Sequence, residues 1–164
     1  MRRAAADDAS LGGRGDCCTA GLTKRLESVG APFAVIGGVA CNAYGHRRAT
    51  QDVDILVNAK DIEYVHDSLV GKGWTPRYAH ARRSYRDRVH GGVHVNVLCG
   101  GEYPGDGLPK PVAFPDPLTA GVELVDGVRV LTLHKLIELK LASGTSAPAS
   151  RQGHRRCLRS HRRE

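Results

Sequence analysis

The sequence has few aromatic residues and no long apolar run. Aromatic residues make up only 5% of the 164 residues, so a core has to be built from Val, Leu, Ile and Ala. No stretch approaches the roughly 18 consecutive apolar residues of a membrane-spanning helix, and no apolar segment follows the arginines near the start. We therefore expect a cytoplasmic protein with neither a membrane contact nor a secretory signal.

Metal-binding and disulfide patterns are also missing. The five cysteines form no C-x-x-C pair, and the eight histidines include no H-E-x-x-H spacing. Neither a disulfide framework nor a zinc site is predicted, and this cysteine usage favours a reducing compartment. Cys41 and Cys99 are expected in the core as small residues.

The net charge of +7 is concentrated near one end of the chain. Six arginines and one glutamate in residues 151–164 supply +5, which leaves 18 basic and 16 acidic residues, or +2, in the first 150. A second basic cluster runs from Arg77 to Arg88. The cluster and the tail arginines are candidate nucleic-acid contacts, and a solvated edge is the alternative for the cluster.

Composition divides the chain into one domain and two polar ends. We expect residues 1–16 to be disordered, and also the basic tail at 146–164. Residues 17–145 have the length of a single domain. Helical and strand-like segments alternate along it, which predicts an α/β or α+β fold with a mixed β-sheet flanked by helices.

Apolar spacing locates the individual elements. It predicts a helix over 17–30, a strand in "PFAVIGG", a short helix in "VACNAYGH", a strand in "DVDILV" and a helix in "AKDIEYVHDSLVGKG". Edge strands follow around Pro76, then a strand in "GVHVNVLCGG" and a hairpin that turns at Asp126-Gly127. The last helix, "LHKLIELKLASG", is expected to bury Leu133, Leu136, Ile137 and Leu141.

Two aspartates in "DVDILV" are the leading candidates for chemistry. Asp52 and Asp54 are two residues apart in a strand, so they share one face with α-carbons roughly 6.6 Å apart. Two ionised carboxylates this close repel each other unless a cation lies between them. Mg²⁺ (or Mn²⁺) accepts carboxylate oxygens and keeps positions for substrate phosphates. The pattern predicts a metal site; a solvent-facing pair at a strand edge is the alternative.

The residues upstream of the aspartates fit a phosphate. Gly37 and Gly38 allow a backbone to approach a ligand closely, and a helix that begins near Val39 presents unpaired amides to an anion. Arg48 and Thr50 share the parity of the aspartates if the strand extends back that far, so we expect Arg48 to contact a phosphate. A tight turn without a ligand and a solvated Arg48 are the alternatives.

The run "IGGVACNAYGHRRATQDVDILV" resembles the nucleotidyltransferase superfamily that shares the DNA polymerase beta fold. The likeness consists of a Gly-Gly after a strand, a short helix and R-x-T-x-D-x-D. The chain is most similar to small bacterial proteins of the abortive-infection and toxin–antitoxin type. A lysine followed by a small residue occurs in a later helix of those proteins, and Lys140 and Ala142 match it. The resemblance covers about residues 20–145.

The resemblance implies a function and a role for each matching residue. Gly37 and Gly38 would lie at the triphosphate of an NTP, Asp52 and Asp54 would bind the metal, and Lys140 would contact a phosphate or the nucleotide. The protein would transfer a nucleotidyl group from the NTP to a hydroxyl of an acceptor, which is a protein, an RNA or a small molecule.

Two departures from the family pattern favour a second interpretation. Asn96 stands where the family has a third carboxylate, and an amide carries no charge and is a poor base. Activity is then low, absent or dependent on another base such as His94. Relatives continue from the lysine helix into a segment with an arginine and aspartates, whereas this chain continues as "TSAPASRQGHRRCLRSHRRE", which has no aspartate and no apolar periodicity. The alternative function is a catalytically degenerate protein that binds nucleotide or RNA, or acts as a toxin–antitoxin component.

Overall fold

A computed structural model describes residues 11–46 and 49–144 of the chain. The predictions for Arg48 and for the tail at 146–164 lie outside these residues. The helices are α1 (Leu11–Ser28), α2 (Gly37–Ala43), α3 (Ile62–Leu69) and α4 (Leu133–Gly144). The strands are β1 (Ala34–Ile36), β2 (Asp52–Val57), β3 (Trp74–Pro76), β4 (Ser84–Asp87), β5 (His94–Cys99), β6 (Val122–Val125) and β7 (Val128–Leu131).

All seven strands form one mixed sheet, in the order β3-β4-β5-β2-β1-β7-β6. Strand β2 is parallel to β5 and β1 is parallel to β7, whereas the other neighbouring pairs are antiparallel. Helices α1 and α3 pack against each other, and α2 packs against α4. The prediction of a mixed sheet flanked by helices is confirmed.

The centre of the sheet supplies much of the core. Val53, Ile55 and Val57 in β2 are fully buried, as the parity of the strand predicts. In β5 the burial alternates, with Val95 fully buried and Cys99 almost so. This alternation leaves the opposite face of β5 half-buried, and that face carries the polar residues of the strand. Cys41, expected in the core, is only half-buried.

The outer strands follow the turn and proline signals. Strand β3 ends at Pro76 and lies at one edge of the sheet, where a residue without an N–H donor is tolerated. Strands β6 and β7 form the predicted hairpin at the other edge. Its turn residues Asp126 and Gly127 have φ of 49° and 78°, the left-handed pair that a tight two-residue hairpin requires.

The first helix is longer than its apolar spacing indicates. It begins at Leu11, so residues 11–16 belong to α1 rather than preceding it, while residues 1–10 lie outside the described part. Leu22 and Leu26 are almost completely buried. The helix ends before Gly30, which adopts φ of 68°. The domain boundaries at 17 and 145 stay predictions.

The prediction for the buried face of α4 is wrong for three of its four residues. Leu136 is buried as expected, but Leu133, Ile137 and Leu141 are 45%, 50% and 68% exposed. The buried residues of this helix are Leu136, Leu139 and Ala142. Since α4 packs against α2, the stripe that faces that contact is buried and the neighbouring apolar stripe is left in solvent.

Among the helices within residues 11–46 and 49–144, none is long and apolar enough to cross a membrane.

Candidate active site

The two aspartates lie at the start of β2, in the middle of the sheet. Both belong to the strand and are two residues apart, so they point to the same side. The Asp52 side chain is 49% exposed, whereas Asp54 is half-buried. Between them, Val53 is fully buried on the opposite face. The strand therefore anchors itself in the core through its valine and presents two carboxylates toward solvent.

Strand register extends this polar face across two neighbouring strands. Asp52 pairs with His94 of β5, and His94 pairs with Arg86 of β4. Two residues further along, Asp54 pairs with Asn96 in the same way. Because paired residues and residues two apart share a face, these side chains form two parallel rows on one side of the sheet.

Gly37 lies directly against the carboxylate of Asp54. Its φ is 68°, a conformation that residues with a Cβ rarely adopt. A Cβ on Gly37 would overlap Asp54 Oδ2 and contact Cγ at 3.2 Å. The pairing of Ile36 with Asp54 brings the two segments together at the point where β1 ends. The backbone therefore favours glycine here, and a side chain at this position would displace the neighbouring carboxylate.

The glycine pair differs from its predicted setting in one respect. Helix α2 begins at Gly37 itself rather than near Val39, so both glycines lie in its first turn. Gly38 is buried there. The sequence predicts a separate turn between strand and helix, but the two glycines belong to the first turn of α2. Ile36 directly precedes this helix.

One hydrogen bond and one ion-pair contact link the aspartates of β2 to the polar residues of β5. Asn96 Nδ2 donates to Asp54 Oδ1 at 2.9 Å. His94 Nδ1 lies 3.4 Å from Asp52 Oδ1. The amide of Asn96 thus occupies one oxygen of Asp54 with a donor, which is the role that a cation or a protonated acid would otherwise play.

Thr50 does not belong to the strand. Strand β2 begins at Asp52, and the Thr50 hydroxyl donates to the backbone oxygen of Asp52 at 3.1 Å. The parity argument therefore does not extend to Thr50. Instead, Thr50 lines a cavity of about 290 Å³ together with Gln51, Arg86, His94 and the Gly91-Gly92 segment. Sequence reasoning missed this cavity, because its walls come from segments about 40 residues apart.

Comparisons with known proteins find a likeness in structure but none in sequence. No family model matches the chain, and no curated protein is significantly similar to it in sequence. Among solved structures, a candidate nucleotidyltransferase from Thermotoga maritima superposes with a TM-score of 0.57 and 16% identity, over 88% of this chain and 92% of that one. The aminoglycoside nucleotidyltransferase ANT(2″)-Ia, solved with adenylyl-2″-tobramycin, gives 0.53 and 10%, over 85% and 80%.

The chain has a nucleotidyltransferase-like fold. At these identities the likeness establishes the fold and leaves the activity of this chain to be argued from its own residues.

Within this nucleotidyltransferase-like fold, the predicted site residues fall into two groups. Asp52, Asp54, Gly37 and Asn96 meet at the ends of three adjacent strands. Lys140 is exposed on α4, the helix that packs against α2, so it lies on a neighbouring element rather than on the sheet. Arg48 lies outside the described residues.

The described side chains supply too few ligands for a metal site built from protein residues alone. In the described part of the chain, no cluster of three or more His, Cys, Asp or Glu side chains is placed to hold a metal ion. The position that faces Asp54 on β5 is occupied by the amide of Asn96. A cation at this place would need further oxygen ligands from a substrate or from water.

The basic cluster between Arg77 and Arg88 is partly neutralised. Arg82 forms an ion pair with Glu63 at 3.5 Å, and Arg83 forms one with Glu102 at 2.5 Å. The hydrogen bond to Glu102 raises the pKa of Arg83 above its usual value. Two of the five arginines thus pair with glutamates, while all five arginines of the cluster are exposed.

Proposed function

We propose that the chain is a metal-dependent nucleotidyltransferase that transfers a nucleotidyl group from an NTP to an acceptor hydroxyl. The observation that carries the proposal is the contact of Gly37 with Asp54, since it joins the predicted phosphate segment to the predicted metal ligand. The nucleotidyltransferase-like fold supports it. Asp52 and Asp54 would bind the metal, and Gly37 and Gly38 would lie at the triphosphate.

The residues present fit a hard divalent cation such as Mg²⁺ or Mn²⁺. Two carboxylates on one face of β2 offer oxygens that this class of ion prefers, and Asp52 is open to solvent. Asn96 presents its amine to Asp54, but half a turn about its last side-chain bond would present its oxygen instead. When bound, the ion would lower the charge repulsion between triphosphate and acceptor and orient the phosphates.

The other residues act through position and charge. Asp54 is fixed from two sides, by Asn96 on β5 and by Gly37 at the start of α2. Such fixation keeps the carboxylate in one orientation, which matters because phosphoryl-group chemistry depends mainly on positioning. Lys140 and Arg48 are proposed as further contacts to the nucleotide, and Thr50 as a residue at the rim of the site.

The second candidate is a degenerate relative that binds a nucleotide or RNA without turnover, or serves as a toxin–antitoxin component. Asn96 favours it, because an amide next to Asp54 removes the third carboxylate and with it a base for the acceptor hydroxyl. His94 is the titratable side chain that the fold offers beside this position. We propose a cytoplasmic location under either candidate function, because the cysteine usage favours a reducing compartment.

A turnover assay separates the two candidates. Radiolabelled NTPs are incubated with the protein and Mg²⁺, and pyrophosphate release is measured for wild type, Asp54→Ala and the matched control Asp126→Asn. Asp126 is a hairpin turn residue with positive φ, which asparagine also tolerates. Release that is lost in Asp54→Ala but kept in Asp126→Asn supports the enzyme. Metal-dependent NTP binding without release supports the degenerate relative.

A further inference from the structure

The cavity beside Asp52 has a mixed polar and apolar lining. Its walls are Gly15 of α1, the 50–51 segment, the turn at 91–93, and Arg86 and His94. Its volume of about 290 Å³ is at the lower end of the range for ligand pockets. It therefore has room for a small molecule or for the end of a larger one.

Arg86 gives this cavity its chemistry. Its guanidinium lies over Gly92, with Nε 2.9 Å from the position that a Cβ on Gly92 would occupy. Gly92 has φ of 79°, a conformation that favours glycine. Because Gly92 has no side chain, the guanidinium of Arg86 can lie directly against this turn. An arginine fork suits a phosphate, which it binds through two parallel hydrogen bonds.

Arg86 also differs from its neighbours in its ion pairing. Arg82 and Arg83 pair with glutamates, whereas Arg86 makes no ion pair within residues 11–46 and 49–144. A positive charge in a cavity without a carboxylate partner attracts an anion from solution.

The topology places this cavity opposite the proposed triphosphate position. Strand β2 lies between β1, which ends at Ile36 directly before Gly37, and β5, which carries His94. Arg86 is two strand spacings from Asp52, roughly 10 Å between α-carbons. A molecule whose phosphate is held by Arg86 can thus reach the carboxylates from the side away from Gly37.

We propose that this cavity is the acceptor subsite and that the acceptor carries a phosphate group near its reactive hydroxyl. The inference rests on the proposed function. The acceptor oxygen would form a bond to the α-phosphorus of the NTP while the bond from that phosphorus to the bridging oxygen breaks. Pyrophosphate leaves with the electron pair, and the hydroxyl proton passes to solvent. Arg86 takes no part in this exchange and acts by holding the acceptor phosphate.

Phosphate binding tests the subsite without any turnover. Inorganic phosphate is titrated into the protein in EDTA, and amide signals are followed by NMR for wild type, Arg86→Gln and Arg88→Gln. Arg88 lies in the same segment and is exposed, as Arg86 is, but it does not line the cavity. We expect saturable shifts at Gly91 and Gly92 that require about tenfold more phosphate in Arg86→Gln and are unchanged in Arg88→Gln. Absent shifts, or equal weakening in both variants, would overturn the proposal.

Kinetics with defined acceptors then assigns the role. In Mg²⁺ and labelled NTP, a nucleoside monophosphate, the matching nucleoside and a short RNA are compared as acceptors. Arg86→Gln should raise KM for the phosphorylated acceptors about tenfold and leave KM for the NTP nearly constant. A higher KM for the NTP instead would contradict an acceptor role. Preference for the RNA over the monophosphate would identify the acceptor as a nucleic-acid end.

Failure of the two proposals can be told apart. If phosphate binds through Arg86 but no acceptor supports turnover, the proposed function is wrong and the cavity is an anion site. If turnover occurs and Arg86→Gln changes neither phosphate binding nor KM for the acceptor, the proposed function holds and the acceptor subsite is wrong.

Discussion

Because Gly37 has no side chain, the carboxylate of Asp54 can lie directly against it. We predict that Gly37→Ala weakens Mg²⁺ binding, because the new Cβ displaces the Asp54 carboxylate. It should also lower the free energy of unfolding by about 1–2 kcal/mol from the left-handed backbone. Isothermal titration with Mg²⁺ and urea unfolding measure the two effects.

Gly45→Ala is the matched control for this prediction. Gly45 has φ of 89° and open space around its Cβ position, so the substitution adds backbone strain without a collision. It should lower stability by a similar amount and leave Mg²⁺ affinity unchanged. Equal losses of Mg²⁺ affinity in the two variants would show that the contact with Asp54 is irrelevant to the metal.

Asn96 is the residue that decides between the two candidate functions. In Asn96→Asp the donor at 2.9 Å from Asp54 is replaced by a second carboxylate. In EDTA we expect a loss of about 1 kcal/mol in the free energy of unfolding from the charge repulsion, and Mg²⁺ should reverse it. Thermal unfolding with and without Mg²⁺ measures this. A variant that Mg²⁺ does not restore would argue against a cation between these residues.

Sequence parity is sufficient to place the two aspartates on one face of β2, and the family resemblance indicates Asn96 beside them, but neither shows the cavity. Asp52 and Asp54 lie within six residues of one strand, and their direction follows from the period of two. Arg86 and His94 join Asp52 only through the registers of β4, β5 and β2, which are set by pairing between distant segments. No local pattern encodes that register.

At the level of the element, α4 shows how tertiary contacts choose between two apolar stripes. The helix carries apolar residues in two stripes, so its spacing fits either the stripe at 133, 137 and 141 or the one at 136, 139 and 142. Packing against α2 selects the second stripe. The sequence predicts the helix but not its rotation about its own axis.

This choice predicts opposite outcomes for two leucines of α4. Leu139→Ala should lower the free energy of unfolding by about 2–4 kcal/mol, because the side chain is 6% exposed. Leu141→Ala should change it by less than about 0.5 kcal/mol, because that side chain is 68% exposed. Urea unfolding of both variants measures the difference. A larger loss of unfolding free energy in Leu141→Ala would show that the face predicted from the sequence is the buried one.

At the scale of the whole molecule, the sheet order is the part of the fold that local patterns do not contain. Each strand has its own apolar or turn signal, and all of the predicted strands form. The parallel pairing of β1 with β7 joins Val35 to Val130 across most of the chain. That pairing places the β6–β7 hairpin beside the central strands β1 and β2, so that β6 forms this edge of the sheet.

Stability of the whole molecule should fall at alkaline pH. Burial, together with the charge of Asp87, raises the pKa of Cys18 to about 12, and burial raises the pKa of Tyr85 to about 12. In the unfolded chain these groups ionise near 9 and 10. The unfolded state therefore loses its protons first, and the stability present below pH 9 is lost progressively between about pH 9 and 12.

Urea midpoints between pH 7 and 11 measure this loss. Tyr85→Phe should flatten the decline above pH 10, while Tyr78→Phe, which alters a side chain 67% exposed, should leave it unchanged. A decline that is identical in wild type and Tyr85→Phe would show that ionisation of Tyr85 does not contribute.

The central claim is that Asp52 and Asp54 bind a divalent ion next to Gly37. A crystal structure with Mn²⁺ and a non-hydrolysable NTP tests it most directly, because Mn²⁺ gives an anomalous signal that locates it without ambiguity. We predict a peak bonded to both carboxylates, with the triphosphate against Gly37 and Gly38. A peak elsewhere, or a nucleotide bound away from the two glycines while the carboxylates face only solvent, would contradict the account.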